Sequence, residues 1–287
     1  MTKTLLSVDW DFFSREDPMW DFGHSEENPV FSKMAWIARY NSGLDLYAET
    51  DHKFAGLAPD GVIDRLVANG MADVTGPVSL TVADSHAHAF DWWKDNRDGV
   101  EHIISLDAHH DLYNENDEVD CANWLFHALR RDPNLRATIV YPRWREEFPE
   151  GFPENSSVSD QVTTVFVDEW TPEGDFDVAG VFLARSPAWT PPHHDEAFLA
   201  FARGLCSYFG DDMLSIPEGS LEHRWAPTRE EADALLAKVK EAWEQSGPMG
   251  QTLKNAWRET NPGSSALVAL QAVEAITNVA NLSEENA

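Results

Sequence analysis

A chain of 287 residues with 43% hydrophobic content can bury a core of its own, as one large α/β domain or two small ones, which excludes a mainly disordered polymer. Fifty acidic residues against twenty-one basic ones give a formal charge of -29, which argues against nucleic-acid phosphates or anionic membranes as partners and favours a cationic peptide or divalent metal. Cys121 and Cys206 are the only cysteines, so neither a disulfide framework nor a Cys-based zinc site is expected; with no cleavable leader pattern after Met1 and no bilayer-length apolar run, the expected location is the cytoplasm.

Thr4-Leu5-Leu6-Ser7-Val8 reads as a buried strand that ends in Asp9-Trp10-Asp11-Phe12-Phe13. Alternation along an extended segment is expected to point Asp9 and Asp11 to one side, where two close carboxylates repel unless a cation or proton separates them. D-x-D also begins the haloacid-dehalogenase phosphatase signature, but Phe13 stands where that signature has Thr or Val. Residues 14–60, rich in aromatics and acids and broken by Pro18, Gly23 and Pro29, are expected to form an irregular cover over the strand ends, a candidate substrate wall. One short helix, Phe31 to Tyr40, is predicted within it, and His24 and His52 are expected to be solvated.

Pro59 to Gly70 reads as a surface helix stopped by glycine. The strand Val78 to Val82 then leads into Asp84-Ser85-His86-Ala87-His88, whose His-x-His also resembles the amidohydrolase barrels. After a helix from Ala89 to Lys94, the strand Ile103 to Leu106 ends in Asp107-Ala108-His109-His110-Asp111. Hard carboxylates and a borderline imidazole within five residues suit a divalent ion of the Mn²⁺ type. Cys121 to Leu129 reads as a helix with His127 one turn beyond Asn123. Further strands are expected at Ala137 to Tyr141, at Thr163 to Val167 before Asp168-Glu169, and at Gly180 to Ala184 before Arg185-Ser186. Helices follow around His193 to Tyr208, Arg229 to Glu244 and Ser265 to Ala280.

This alternation predicts an α/β three-layer sandwich with a mostly parallel sheet, a single domain over 1–287 with 227–287 as C-terminal helices. Such sheets carry their sites at the strands' carboxyl ends, so Asp9, Asp11, His86 or His88, Asp107, His109 and Asp111 are expected to meet there.

Ser7-x-Asp9-x-Asp11 resembles the S-x-D-x-D metal motif of the arginase and agmatinase superfamily, and Asp107-Ala108-His109-His110-Asp111 resembles its D-A-H-x-D motif. Asp84-Ser85-His86 is similar to the segment that supplies the remaining histidine, without that segment's glycines. With S-x-D-x-D first in the chain instead of last, the pattern resembles a permuted branch containing the peptide arginases, which convert arginines of a precursor peptide to ornithine and urea. The resemblance implies an arginase-like fold and two Mn²⁺ ions bridged by Asp9 and Asp107, one completed by Asp111 and His86, the other by His109 and Asp11. His88 is the rival of His86. The resemblance further implies attack of a metal-activated hydroxide on the guanidinium carbon, Asp111 as proton donor to the leaving amine, and His127 as proton shuttle. Asp168 and Glu169, at a strand end, are candidates for binding the guanidinium. An acidic, aromatic-rich rim suits an arginine-containing peptide. The competing readings are a metal-dependent phosphatase or amidohydrolase, and a non-catalytic protein that keeps the metal cluster as a clip.

Overall fold

The computed structural model describes residues 1–15, 29–41, 43–74, 78–113, 117–152, 156–171, 174–210, 215–217 and 220–245. Among the described residues six strands form one sheet: β1 (Thr2–Asp9), β2 (Ser79–Ala83), β3 (His102–Leu106), β4 (Arg136–Tyr141), β5 (Val162–Phe166) and β6 (Phe176–Ala184), in the order β2-β6-β1-β3-β4-β5. All neighbouring pairs are parallel. The α/β class and parallel sheet expected from the sequence are therefore present.

The helices are α1 (Pro29–Tyr40), α2 (Leu46–Glu49), α3 (Val62–Ala68), α4 (Ala89–Asn96), α5 (Trp124–Arg131), α6 (Asp195–Phe209) and α7 (Arg229–Gln245). Alternation along β1 divides its side chains between two cores. Leu6 and Val8 join Ile104, Val181 and Leu183 under Val62 and Leu66 of α3 and Phe198 and Leu205 of α6. Leu5 joins Ile103, Ile139 and Phe182 under Trp93 of α4 and Trp124, Leu125 and Leu129 of α5. A strand buried on both faces has no polar-out side, which is why these runs read as continuously apolar. Fully burying one such leucine is worth about 1.5–3 kcal/mol.

Several expected elements shift for identifiable reasons. The helix expected from Cys121 begins only at Trp124, because Asn123 accepts the Asp120 N–H (2.8 Å) and donates to the Glu118 carbonyl (2.9 Å), tying residues 118–123 into a turn. Likewise, α6 starts at Asp195 after a 3-10 turn over Pro192–His194. The segment expected to be an irregular cover is more helical than that: it carries α1, α2 capped by Asp45, and a 3-10 turn over His52–Ala55 capped by Asp51. His52 is half-buried against Trp10, with Nε2 3.2 Å from His194 Nδ1, instead of solvated. His24 and the helix expected over 265–280 lie outside the described residues. Among the described residues no helix is long and apolar enough to cross a membrane.

Gly70 ends α3 with φ +96°, and a Cβ there would collide with the Gly174 carbonyl. Gly70→Ala is expected to cost roughly 1–3 kcal/mol, through strained backbone plus the clash, and to lower the melting temperature measurably by circular dichroism.

Because every strand is parallel, all carboxyl ends emerge on one side. From β1 the sheet runs one way through β3, β4 and β5 and the other way through β6 and β2, so the strand order reverses beside β1. Open parallel sheets bind ligands at such a reversal.

Candidate metal centre

Asp9 ends β1, Asp107 follows β3, and His86 opens the 3-10 turn after β2. One ligand atom from each lies within 4.8 Å of the others, and all three residues are buried. His86 Nδ1 sits 3.1 Å from Asp9 Oδ2, 3.2 Å from Asp107 Oδ2 and 2.9 Å from Asp111 Oδ2. Yet neither His86 Nδ1 nor Asp107 Oδ2 makes a hydrogen bond. The other ring nitrogen, Nε2, is hydrogen-bonded to Ser7 Oγ at 2.8 Å. If Nε2 carries the proton, the Nδ1 lone pair faces three carboxylate oxygens, an arrangement that a cation at their focus would stabilise.

The electrostatics agree. Burial, then Asp111 and Asp11, hold the Asp107 carboxyl well above the usual range. Burial and the neighbouring Asp11 also raise Asp9. Burial pushes the His86 imidazole down, but Asp9 and Asp111 outweigh it and leave the ring well above its ordinary value. The cage draws protons onto acids and imidazole alike, as a pocket short of positive charge must. The donor set fits a hard or borderline divalent ion, with carboxylates and imidazole and no thiolate.

Asp11, Asp107 and His109 form a second such group, so Asp107 is common to both. Asp11 does not arrive by strand alternation, as expected from the sequence. The chain leaves β1 into a 3-10 turn over Trp10–Phe13, with Asp9 as its N-cap: Asp9 Oδ1 accepts the Asp11 N–H at 3.2 Å. That turn aims Asp11 across the sheet end, where Oδ1 accepts the Ala108 N–H (3.2 Å) and Oδ2 meets His109 Nδ1 (2.9 Å). Asp107 Oδ1 in turn accepts the His109 N–H at 2.8 Å. The His109 side chain is 16% exposed, the most open of the six acids and imidazoles, and its ring lies 5.3 Å from that of Trp189.

Asp111 adopts a left-handed backbone, φ 52°, uncommon outside glycine. The first turn of α5 holds it there: the Asp111 carbonyl accepts the Phe126 N–H (3.2 Å), and Trp124 donates its indole N–H to Asp111 Oδ2 (2.6 Å). Trp124→Phe keeps the ring in the core and removes that donor. It is expected to weaken divalent-cation binding about 10-fold, measured by calorimetry with Mn²⁺ as the probe.

Of the expected residues, Asp9, Asp11, His86, Asp107, His109 and Asp111 are brought together, and His88, the rival of His86, is exposed. His127 is buried in neither group; it packs edge-on against Phe90 and Phe126, with Nε2 making no hydrogen bond. Asp168 and Glu169 are exposed at the end of β5, the sheet edge beyond β4, and Asp168 pairs with Arg143 at 3.6 Å. Sequence reasoning assigned no role to Trp124 or Ser186, both of which donate to cluster carboxylates. Such donors carry no motif of their own; Ser186 stands just past a strand end and Trp124 opens α5. His110 instead serves the local turn, its Nδ1 accepting the Leu112 N–H at 3.0 Å, and burial pushes it down to about 4.

The fold and site thus define an α/β protein whose strand ends gather buried Asp and His groups that could hold a metal ion. No protein-family model, curated protein or solved structure matches the chain.

Proposed function

We propose that the chain is a binuclear manganese-dependent hydrolase acting on the guanidinium group of arginine side chains in a precursor peptide, releasing urea and leaving ornithine. The observation that carries this reading is the sharing of Asp107 between two adjacent groups of ligand atoms, which is how a pair of ions is held side by side. The resemblance of Ser7-x-Asp9-x-Asp11 and Asp107-Ala108-His109-His110-Asp111 to the arginase motifs supplies the reaction class.

Asp9, His86, Asp107 and Asp111 would hold one ion, and Asp11, Asp107 and His109 the other. Two divalent cations in such a cage would supply a nucleophilic water near neutral pH and Lewis-acid polarisation of the substrate. The chain's own groups do the rest. Ser7 fixes the His86 ring, and Trp124 keeps Asp111 oriented to return a proton to the departing nitrogen. The arginase resemblance alone makes His127 the candidate shuttle, since its ring packs on Phe90 and Phe126 outside both ligand groups. The acidic surface, including Asp168 and Glu169, favours a basic, extended substrate over free arginine, whose α-amino and α-carboxyl groups need fixed partners.

The test is incubation of the Mn²⁺-loaded protein with an arginine-containing peptide, with mass spectrometry for loss of the elements of cyanamide and a urea assay alongside. Conversion of Arg to ornithine by the wild type and none by Asp107→Ala supports the reading. Two tightly bound Mn²⁺ with no turnover of any guanidino compound would make the cluster a structural clip, a reading that the burial of Asp9, His86 and Asp107 favours. Turnover of a phosphate ester or cyclic amide without urea would replace the guanidino-hydrolase reading with a phosphatase or amidohydrolase.

A further inference from the structure

Ser186 stands two residues beyond the end of β6, beside β1, and the parallel register pairs Asp9 with Ala184. That register carries Ser186 past the sheet end to Asp9, and its Oγ donates to Asp9 Oδ2 at 2.6 Å. Ser186 is fully buried and Asp9 is 3% exposed, so no water competes for the bond. Asp9 Oδ1 is already engaged by the Asp11 N–H, and Oδ2 is the oxygen facing His86 Nδ1. The serine therefore fixes the carboxylate rotation at the oxygen that points into the cage.

Ser186 also carries a left-handed backbone, φ 49°, where serine gains nothing that glycine would not provide more easily. Several contacts hold it there. Its N–H donates to the Asp84 carbonyl (2.8 Å), and its carbonyl accepts the N–H groups of Trp189 and Thr190 and the Thr190 hydroxyl, each at 3.0 Å. The preceding Arg185, 3% exposed, donates to Asp84 (2.6 Å), Asp195 (3.1 Å) and the Glu222 carbonyl (2.9 Å). Asp195 is also gripped by Arg224, which reaches the Pro187 and Thr190 carbonyls at 2.9 and 2.7 Å. Strain that surrounding structure over-determines marks positions where a side chain must be aimed.

We propose that Ser186 is a positioning residue for the metal centre, orienting Asp9 for cation binding through a turn locked by the Arg185–Asp84–Asp195–Arg224 network. The inference rests on the metal-binding reading of the cluster, and not on which substrate is hydrolysed.

Two variants separate the hydroxyl from the turn. Ser186→Gly deletes the donor while relaxing the backbone, and Ser186→Ala deletes the donor while keeping the strain. Each is titrated with Mn²⁺ by calorimetry, with circular dichroism melts in chelator. The expected result is that both variants fold and bind Mn²⁺ about 10-fold or more weakly than the wild type, with Ser186→Gly melting no lower than the wild type. Wild-type affinity in either variant overturns the positioning role. So does failure of Ser186→Gly to fold, which would make the serine a packing residue of the turn. If the wild-type chain itself takes up no Mn²⁺, the metal reading fails first and the role of Ser186 falls with it.

Discussion

Asp107→Asn should shift stability in opposite directions in metal-free and metal-loaded protein. Without metal, the Asp107 carboxyl is buried among Asp9, Asp11 and Asp111, and its Oδ2 has no hydrogen-bond partner. Asparagine keeps Oδ1 available to the His109 N–H and presents an amide donor to His86 Nδ1 and the facing carboxylates. At a pH above the raised values of Asp107 and His86, where the carboxyl is charged and Nδ1 is free to accept, replacing that desolvated like charge by the donor is expected to stabilise the metal-free protein by on the order of 1 kcal/mol or more. With metal, the sign reverses. At a free ion concentration about 100 times Kd the wild type gains about 2.7 kcal/mol from binding, and a variant missing the ligand common to both groups forfeits most of it. Loss of that ligand should exceed the roughly 10–100-fold affinity cost of losing a supporting hydrogen bond. Paired melts with chelator and with excess Mn²⁺ read both signs at once. A variant that melts below the wild type in chelator, or binds Mn²⁺ equally well, would refute the assignment.

The second large effect is in pH dependence. Asp9, Asp107 and His86 all have folded-state affinities for protons raised above their ordinary values, the acids by burial and neighbouring acids, the imidazole by the acids around it. For a raised group, stability is fully present below the unfolded pKa and lost as pH rises through the folded one. The metal-free protein is therefore expected to lose stability from about pH 4, the ordinary carboxyl value, upward past about 6.5, that of histidine. Cations bind the deprotonated groups and release these protons, so their stabilisation grows over the same window. The gap between melting temperatures with Mn²⁺ and with chelator should widen steadily from pH 5 to pH 8. A gap that is constant or narrows would show that these groups do not hold the ion.

The strands were legible because burial on both faces leaves uninterrupted apolar runs, and the polar residues that end those runs stand out against them. Asp9, His86 and Asp107 could be placed at carboxyl ends on that basis alone. What could not be read is the lateral order of the strands, since no local pattern encodes which neighbours a parallel strand takes. Asp168 and Glu169 look from the sequence like Asp9 and Asp11, acids after a strand, yet β5 sits at the sheet edge with β4 between it and the cluster strands. The same ignorance hid Ser186, whose importance comes only from β6 lying against β1. Asp11 reached its place by a capped 3-10 turn, a change of backbone that an alternation rule cannot anticipate.

The position of β1 between β3 and β6 bears on how the molecule comes together. During synthesis β1 can pair with β3 once residue 106 has been made, but β6, which begins at residue 176, is the last strand to emerge and is the partner of both β1 and β2, so that side of the sheet zips up last. Such distant pairing slows folding and leaves two unpaired backbone edges open to other nascent chains in the meantime. A ribosome-stalled fragment ending before residue 176 should thus be prone to aggregate.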